Sequence, residues 1–186
     1  MKSKAAITLL FVILGVPFVL LSSYNITLAI SQTNNEQASV ISYVRGSEEP
    51  DGNFIQREQE HLVDVKRVMN FMEMLFSLLA ILVIVLAMLL YKKELLGNGL
   101  LWSGLTGMTL TLLIILVGVF NFDELFSKFH LLFFKPGSWI FSPEDRLIQL
   151  FPLTFFISMT KSILTNAALL NITSIIAGLM IRRYHK

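Results

Sequence analysis

The chain has no cysteine. That removes disulfides, thiolate metal ligands and a cysteine nucleophile from consideration. Charge is scarce inside its long apolar runs. No series of carboxylates or arginines crosses them, which argues against the ion path of a transporter. Two catalytic signatures are also missing. No His-Glu-x-x-His spacing offers a metal site, and no Gly-x-Ser-x-Gly turn presents a serine nucleophile. No basic patch interleaved with aromatics points to nucleic acid. Histidine is sparse, with only His61, His130 and His185.

What is present is apolar. Of 186 residues 54% are hydrophobic, and the mean hydropathy is +0.68. Apolar runs cover Ala5–Leu21, Phe71–Leu90, Leu100–Phe120 and Ser162–Ile181. Each approaches the roughly 20 residues a helix needs to cross about 30 Å of hydrocarbon. Lys2 and Lys4 ahead of the first run resemble a secretory signal. That run is long and three more spans follow, so it reads as a retained signal anchor. The expected fold is an all-α membrane protein, one domain over 1–186. Its four transmembrane helices fall at about 5–31, 68–91, 99–121 and 162–181. The two outer loops, about 32–67 and 122–161, are expected to form an extracytoplasmic, aromatic-rich cap.

Charge orients the spans. Lys2, Lys4, Lys92, Lys93, Arg182, Arg183 and Lys186 lie on one side with Glu94 as the lone acid, a net +6; the other side carries −4. The positive-inside rule then places both termini in the cytoplasm. Ser103-Gly104-Leu105-Thr106-Gly107 is a small-xxx-small pattern that lets helix backbones approach. Asn166 and Asn171 are placed to hydrogen-bond between helices. The ordinary meaning of both features is packing.

The first outer loop is polar, with Ile41–Val44 a short strand or helical turn and Ser47–Asn53 rich in turn residues. From Gln56 a helix is expected to run into the second span. On it His61 and Asp64 share a face by their i, i+3 spacing, continued by the apolar Val65, Val68, Met72 and Leu75. Asp64 is placed to hold one imidazole nitrogen. The plain alternative is a surface histidine beside a carboxylate. The second outer loop holds nine of the fifteen phenylalanines, and Trp139. Such a loop must lie on the bilayer or cap the bundle. Phe122, Phe126, Phe129 and Phe133 fall near one helical face with His130 beside them. Pro136-Gly137 and Ser142-Pro143 divide the segment into short helices. Here the plain alternative is an interfacial aromatic belt.

Several chemistries suit two histidines in an aromatic niche. A metal site would use His61, Asp64, His130 and another carboxylate. Alternatively, the histidines serve as base and acid for a substrate that brings its own nucleophile. An imidazole near pKa 6.5 matches an α-amine near 8 for proton transfer at neutral pH.

Four spans, outer loops of these sizes and two segments together resemble the bacterial lipoprotein intramolecular transacylase (Lit) family. The first segment is Arg57-Glu58-x-x-His61-x-x-Asp64-Val65-Lys66. The second is Phe129-His130-x-x-Phe133, followed by Trp139, Asp145-x-Leu147-Ile148 and Phe151-Pro152. Tyr43 in Ser42-Tyr43-Val44-Arg45-Gly46 fits as well. The resemblance implies a bacterial cell-membrane acyltransferase without metal or cofactor, acting on diacylglyceryl-modified lipoproteins among membrane lipids. It moves the sn-2 acyl chain of the diacylglyceryl-cysteine onto the free α-amine, giving a lyso-form lipoprotein. The family's two essential histidines map onto His61 and His130. They lie in an aromatic pocket where the cap meets the bundle.

Under that resemblance His61, oriented by Asp64, acts as base, and His130 stabilises the oxyanion or protonates the leaving alkoxide; the reverse assignment stays open. Phe126, Phe133 and Trp139 confine the substrate. Arg57 and Lys66 position polar groups or pair with Glu58, Glu60 and Asp64, while Tyr43 and Asp145 are further candidates. Two rival readings remain: a metal-dependent membrane hydrolase and a non-enzymatic accessory protein. The oligomeric state stays open.

Overall fold

A computed structural model describes residues 2–46, 52–92 and 94–184. His185, Lys93, Lys186 and the Ser47–Asp51 part of the turn-rich stretch lie outside the described residues. The order is α1 (Lys2–Ile30), α2 (Asn35–Val44), α3 (Gln56–Lys92), α4 (Leu96–Phe120), α5 (Phe122–Phe133), α6 (Arg146–Leu150) and α7 (Leu153–Tyr184), with no strand among the described residues. α1, α3, α4 and α7 are long and apolar enough to cross a membrane. This is the architecture of a multi-pass α-helical membrane protein.

Local chemistry explains the boundaries. Asn34 Oδ1 accepts from Gln37 N at 2.8 Å and Gln37 Oε1 accepts from Asn34 N at 3.2 Å. This capping box starts α2, so Ile41–Val44 is helical. Asn121 caps α5 by accepting from Glu124 N at 3.1 Å, and Asp123 and Glu124 complement its positive end. α7 begins directly after Pro152, well before the apolar run at Ser162. Ser158, Thr160 and Lys161 interrupt the hydropathy there but not the helix.

The chain divides into two compact units. The first comprises residues 1–29, 75–116 and 161–186. Phe11, Leu86 and Leu90 form its apolar core. Elsewhere α4 and α7 meet almost backbone to backbone. A Cβ added at Gly178 would stand 2.6 Å from Leu101 N and 2.8 Å from Gly97 O. One at Gly104 would stand 2.8 Å from Asn171 O. The expected hydrogen bonds between helices are present. Asn166 Nδ2 donates to Thr27 Oγ1 at 3.0 Å, and Asn171 Nδ2 makes a longer contact of 3.4 Å with Thr111 Oγ1. Gly178→Ala is expected to cost about 1–3 kcal/mol through overpacking. It should lower the unfolding midpoint in detergent, whereas Gly118→Ala, whose nearest contact would be Leu125 at 3.5 Å, should not. Equal midpoints would contradict this tight crossing.

The second unit comprises residues 30–74 and 117–160. Val40, Val44, Phe54, Leu62, Leu147 and Leu150 are its core, flanked by Tyr43, Val65, Met69, Phe141 and Phe151. Polar ties join its helices. Gln37 Nε2 donates to Leu150 O at 2.6 Å, Arg146 pairs with Glu36, and Arg45 Nε meets Glu73 Oε1 at 3.0 Å. Within this core lies a carboxylate, Glu58, only 1% exposed. Its Oε2 accepts from Ile55 N at 2.9 Å, at the start of α3. Its Oε1 accepts from Leu147 N at 2.7 Å, in the first turn of α6. One side chain thus satisfies orphan donors of two helices.

Candidate active site

His61 and His130 come together in the second unit, on α3 and α5. They share a wall, Phe134, whose ring centroid lies 5.0 Å from His61 and 5.6 Å from His130. Phe141 closes on His61 at 5.4 Å. Around His130 stand Phe126 at 4.0 Å, Trp139 at 4.7 Å and Phe129 at 5.7 Å. Phe156 extends the cluster, 5.1 Å from Phe126. Both imidazoles are half-buried among rings.

Their hydrogen bonds differ. His130 Nδ1 lies 2.8 Å from Phe126 O, one turn back on α5. A carbonyl only accepts, so Nδ1 carries the hydrogen and Nε2 holds the lone pair in the neutral ring. His61 Nδ1 is buried with no partner.

Arg57, Glu58, Glu60, Asp64, Lys66 and Arg67 make residues 56–70 of α3 too polar for hydrocarbon. His61 therefore precedes the apolar stretch that begins at Phe71. Burial pushes its pKa down to about 4, assisted by the neighbouring His130 charge and opposed by Asp64. Burial also lowers the His130 pKa, against the Phe126 carbonyl bond. Both rings are thus neutral at pH 7, the form in which an imidazole accepts a proton.

A family model for the lipoprotein intramolecular transacylase Lit matches residues 20–156. The chain belongs to this family. An uncharacterized protein of Aquifex aeolicus (strain VF5) is 29% identical over 133 residues, 72% of this chain. The match spans 60% of that relative's length. The membrane-integral Lit from Bacillus cereus, solved in meso, shares the fold. Its TM-score is 0.88 at 18% identity, covering 99% of this chain and 98% of that one. The same protein with one histidine replaced by arginine gives a TM-score of 0.80 at 18% identity, covering 99% of this chain and 94% of that one. With alanine there the values are 0.75 and 19%, covering 98% of this chain and 93% of that one.

The other candidate residues of this Lit family member are distributed unevenly. Trp139 and Phe126 line the His130 side. Phe133 stacks on neither histidine; it packs on Phe129 at 5.0 Å, at the edge of the cluster. Asp64 was expected to hold an imidazole nitrogen. Instead its Oδ1 accepts from Arg67 Nη1 at 2.8 Å, and it acts on His61 through charge alone. Arg57 donates to Ile140 O and lies 4.7 Å over the Phe141 ring. Lys66 Nζ sits 4.2 Å over the Tyr43 ring, which joins the core beside α2. Asp145 closes its own turn, its Oδ2 accepting from Ser142 N at 2.6 Å. Among the described residues no three His, Asp or Glu side chains gather closely enough to hold a metal ion.

Phe134, Phe141 and Glu58 were not singled out as site or framework residues. Phe134 is the C-cap residue of α5, in extended conformation, so a helical-face argument ends one residue too early to find it. Glu58 reads as one acid in a charged run, and only the fold reveals its two backbone partners.

The lowered histidine pKa values carry a consequence for stability. In the unfolded chain both rings titrate near 6.5. Between about pH 6.5 and 4 the unfolded state therefore binds more protons than the folded one, and stability falls as pH drops through that window. The unfolding midpoint in detergent should fall from pH 7 to pH 5. His61→Phe, which cannot titrate, should make the fall shallower. A midpoint equally steep in both proteins would contradict a desolvated His61.

Proposed function

We propose that this chain performs the reaction for which its family is named, intramolecular transacylation of a lipoprotein. The α-amine of a diacylglyceryl-cysteine terminus attacks the sn-2 ester carbonyl of the same residue. A C–N bond forms, the C–O ester bond breaks, and a lyso-form lipoprotein with an N-acyl chain results. The carrying observation is a pair of neutral imidazoles on a common aromatic wall, each with a different hydrogen-bonding state. Such a pair supplies proton transfer, while the substrate supplies the nucleophile.

The roles follow from the tautomers. His130, with Nδ1–H held by Phe126 O, presents Nε2 as the base that takes the amine proton. This favours the reverse of the assignment first drawn from the sequence. For His61, a buried lone pair at Nδ1 is tolerated more readily than a buried N–H. Its Nε2–H then donates to the developing oxyanion. The proton on His130 passes to the glyceryl oxygen as the ester bond breaks. Nucleophile and ester belong to one molecule, so holding them in register supplies much of the acceleration. Aromatic walls exclude the water that would hydrolyse the ester.

Charge asymmetry supports cytoplasmic termini in the bacterial cell membrane. It supports residues 32–67 and 122–161 lying on the outer side of the membrane, where lipoproteins carry their lipid. Mass spectrometry of a reporter lipoprotein's N-terminal lipopeptide tests the reading in a host lacking its own lipoprotein N-acyltransferase. Unchanged acyl mass with one chain moved to the amine is expected. An unaltered diacylglyceryl terminus despite good expression would overturn it. Loss of one chain without N-acylation would point to a hydrolase instead.

A further inference from the structure

We propose that the indole N–H of Trp139 is a hydrogen-bond donor to the reacting ester carbonyl, which makes Trp139 a catalytic residue as well as an aromatic wall. The proposal rests on the transacylase reading above.

Trp139 Nε1 is buried and has no hydrogen-bond partner. An indole nitrogen is a donor only, so no change of tautomer relieves it, in contrast to His61 Nδ1. Buried tryptophans normally find an acceptor for this group, and a buried donor left unpaired is costly. Orphans of this kind call for an explanation, and a catalytic role is one. The neighbours of this ring are themselves rings. His130 lies at 4.7 Å and Phe126 meets it edge-on at 6.2 Å.

The loop also holds the ring in place. Ser138 N donates to Lys135 O at 3.1 Å, and Ser138 Oγ reaches the same carbonyl at 2.9 Å. Gly137 takes φ +84, open to glycine at little strain. The next residue, Ile140, is fastened through its carbonyl to Arg57 of α3. Thus the indole has no loose backbone on which to swing its N–H toward water.

Position relative to the base fixes which acceptor is meant. The carbonyl carbon must lie within about 3–3.5 Å of the amine nitrogen at attack, and His130 takes that nitrogen's proton. The indole stands against His130. It is therefore beside the carbonyl whose oxygen gains charge, where a fixed donor acts most strongly on the transition state. With His61 Nε2–H it gives the oxyanion two donors, both attached to rings.

The test uses the purified full-length protein and a synthetic diacylglyceryl-cysteinyl peptide with a free amine. Trp139→Phe keeps an aromatic ring and removes the donor. Its kcat should fall about 10²–10³-fold, the range for loss of one oxyanion donor, with KM within a few-fold and the unfolding midpoint near wild type. A wild-type kcat in a folded Trp139→Phe protein would overturn the proposal. A second measurement does not depend on that variant folding. With indole nitrogen-15 labelling, the chain's two tryptophans give two signals, assigned by Trp102→Phe. Adding the amine-acetylated peptide, which cannot react, should move the Trp139 N–H signal downfield. No shift at saturating peptide would overturn the proposal even if wild-type protein is fully active. If wild-type protein makes no N-acyl product, it is the transacylase reading that fails.

Discussion

His130→Ala should lower the initial rate of N-acylation by about 10²–10⁴-fold, the span for loss of a positioned general base. His61→Ala should fall in a similar range, since one oxyanion donor contributes about 10²–10³. The double variant should be little worse than the poorer single one, because groups acting on one transition state are not additive. The two positions separate under a milder change. A glutamine amide donates a hydrogen bond but cannot take up a proton at neutral pH. His61→Gln should therefore retain part of the rate, while His130→Gln should be as poor as His130→Ala. Mass-spectrometric initial rates on the diacylglyceryl peptide decide this. The opposite ranking would exchange the two roles.

Glu58→Ala should have the largest effect on the fold. It leaves the Leu147 amide unpaired in a buried setting, at about 1–3 kcal/mol, and the Ile55 amide unpaired in a half-buried one, at less. For a protein of ordinary stability that is a large share of the total. Glu58→Gln keeps one acceptor oxygen but turns an NH₂ toward the other amide, so an intermediate loss is expected. The check is thermal unfolding in detergent for all three proteins. Activity measured below the transition should track the folded fraction, because Glu58 bonds only backbone groups at the helix starts. An unfolding midpoint unchanged in Glu58→Ala would remove the carboxylate from the framework.

The two histidines were legible because they are rare and because each sits in a segment too polar or too aromatic for an ordinary span. The spans themselves were legible from length and hydropathy. The packing of Gly104 and the bonds of Asn166 and Asn171 followed from residue type at helical spacing. What the sequence did not show was choice among partners. Asp64 has Arg67 three residues onward and His61 three residues back, and i, i+3 spacing does not rank them; the ion pair with Arg67 prevails. Phe133 shares the helical period of Phe126 and Phe129, yet Phe134, the C-cap residue four positions after His130, is the ring both histidines touch. The cap of α6 was invisible for a related reason. Asp145 occupies the expected N-cap but bends back to Ser142, and an acid 89 positions away in sequence takes over the first-turn amide.

The hydrogen bond from His130 to its own helix separates this site from the triads of serine hydrolases. There a buried carboxylate both fixes the tautomer and stabilises the imidazolium. Here a neutral peptide carbonyl fixes the tautomer, and Asp64, the carboxylate that acts on His61, is committed to Arg67. Among the described residues a protonated His130 has no dedicated counterion. In the proposed reaction its charge would be balanced only while an oxyanion stands beside it, so cation and anion would rise and collapse together. On that reading the site is a momentary proton relay. It has little means of holding a charged resting state, since burial disfavours the imidazolium.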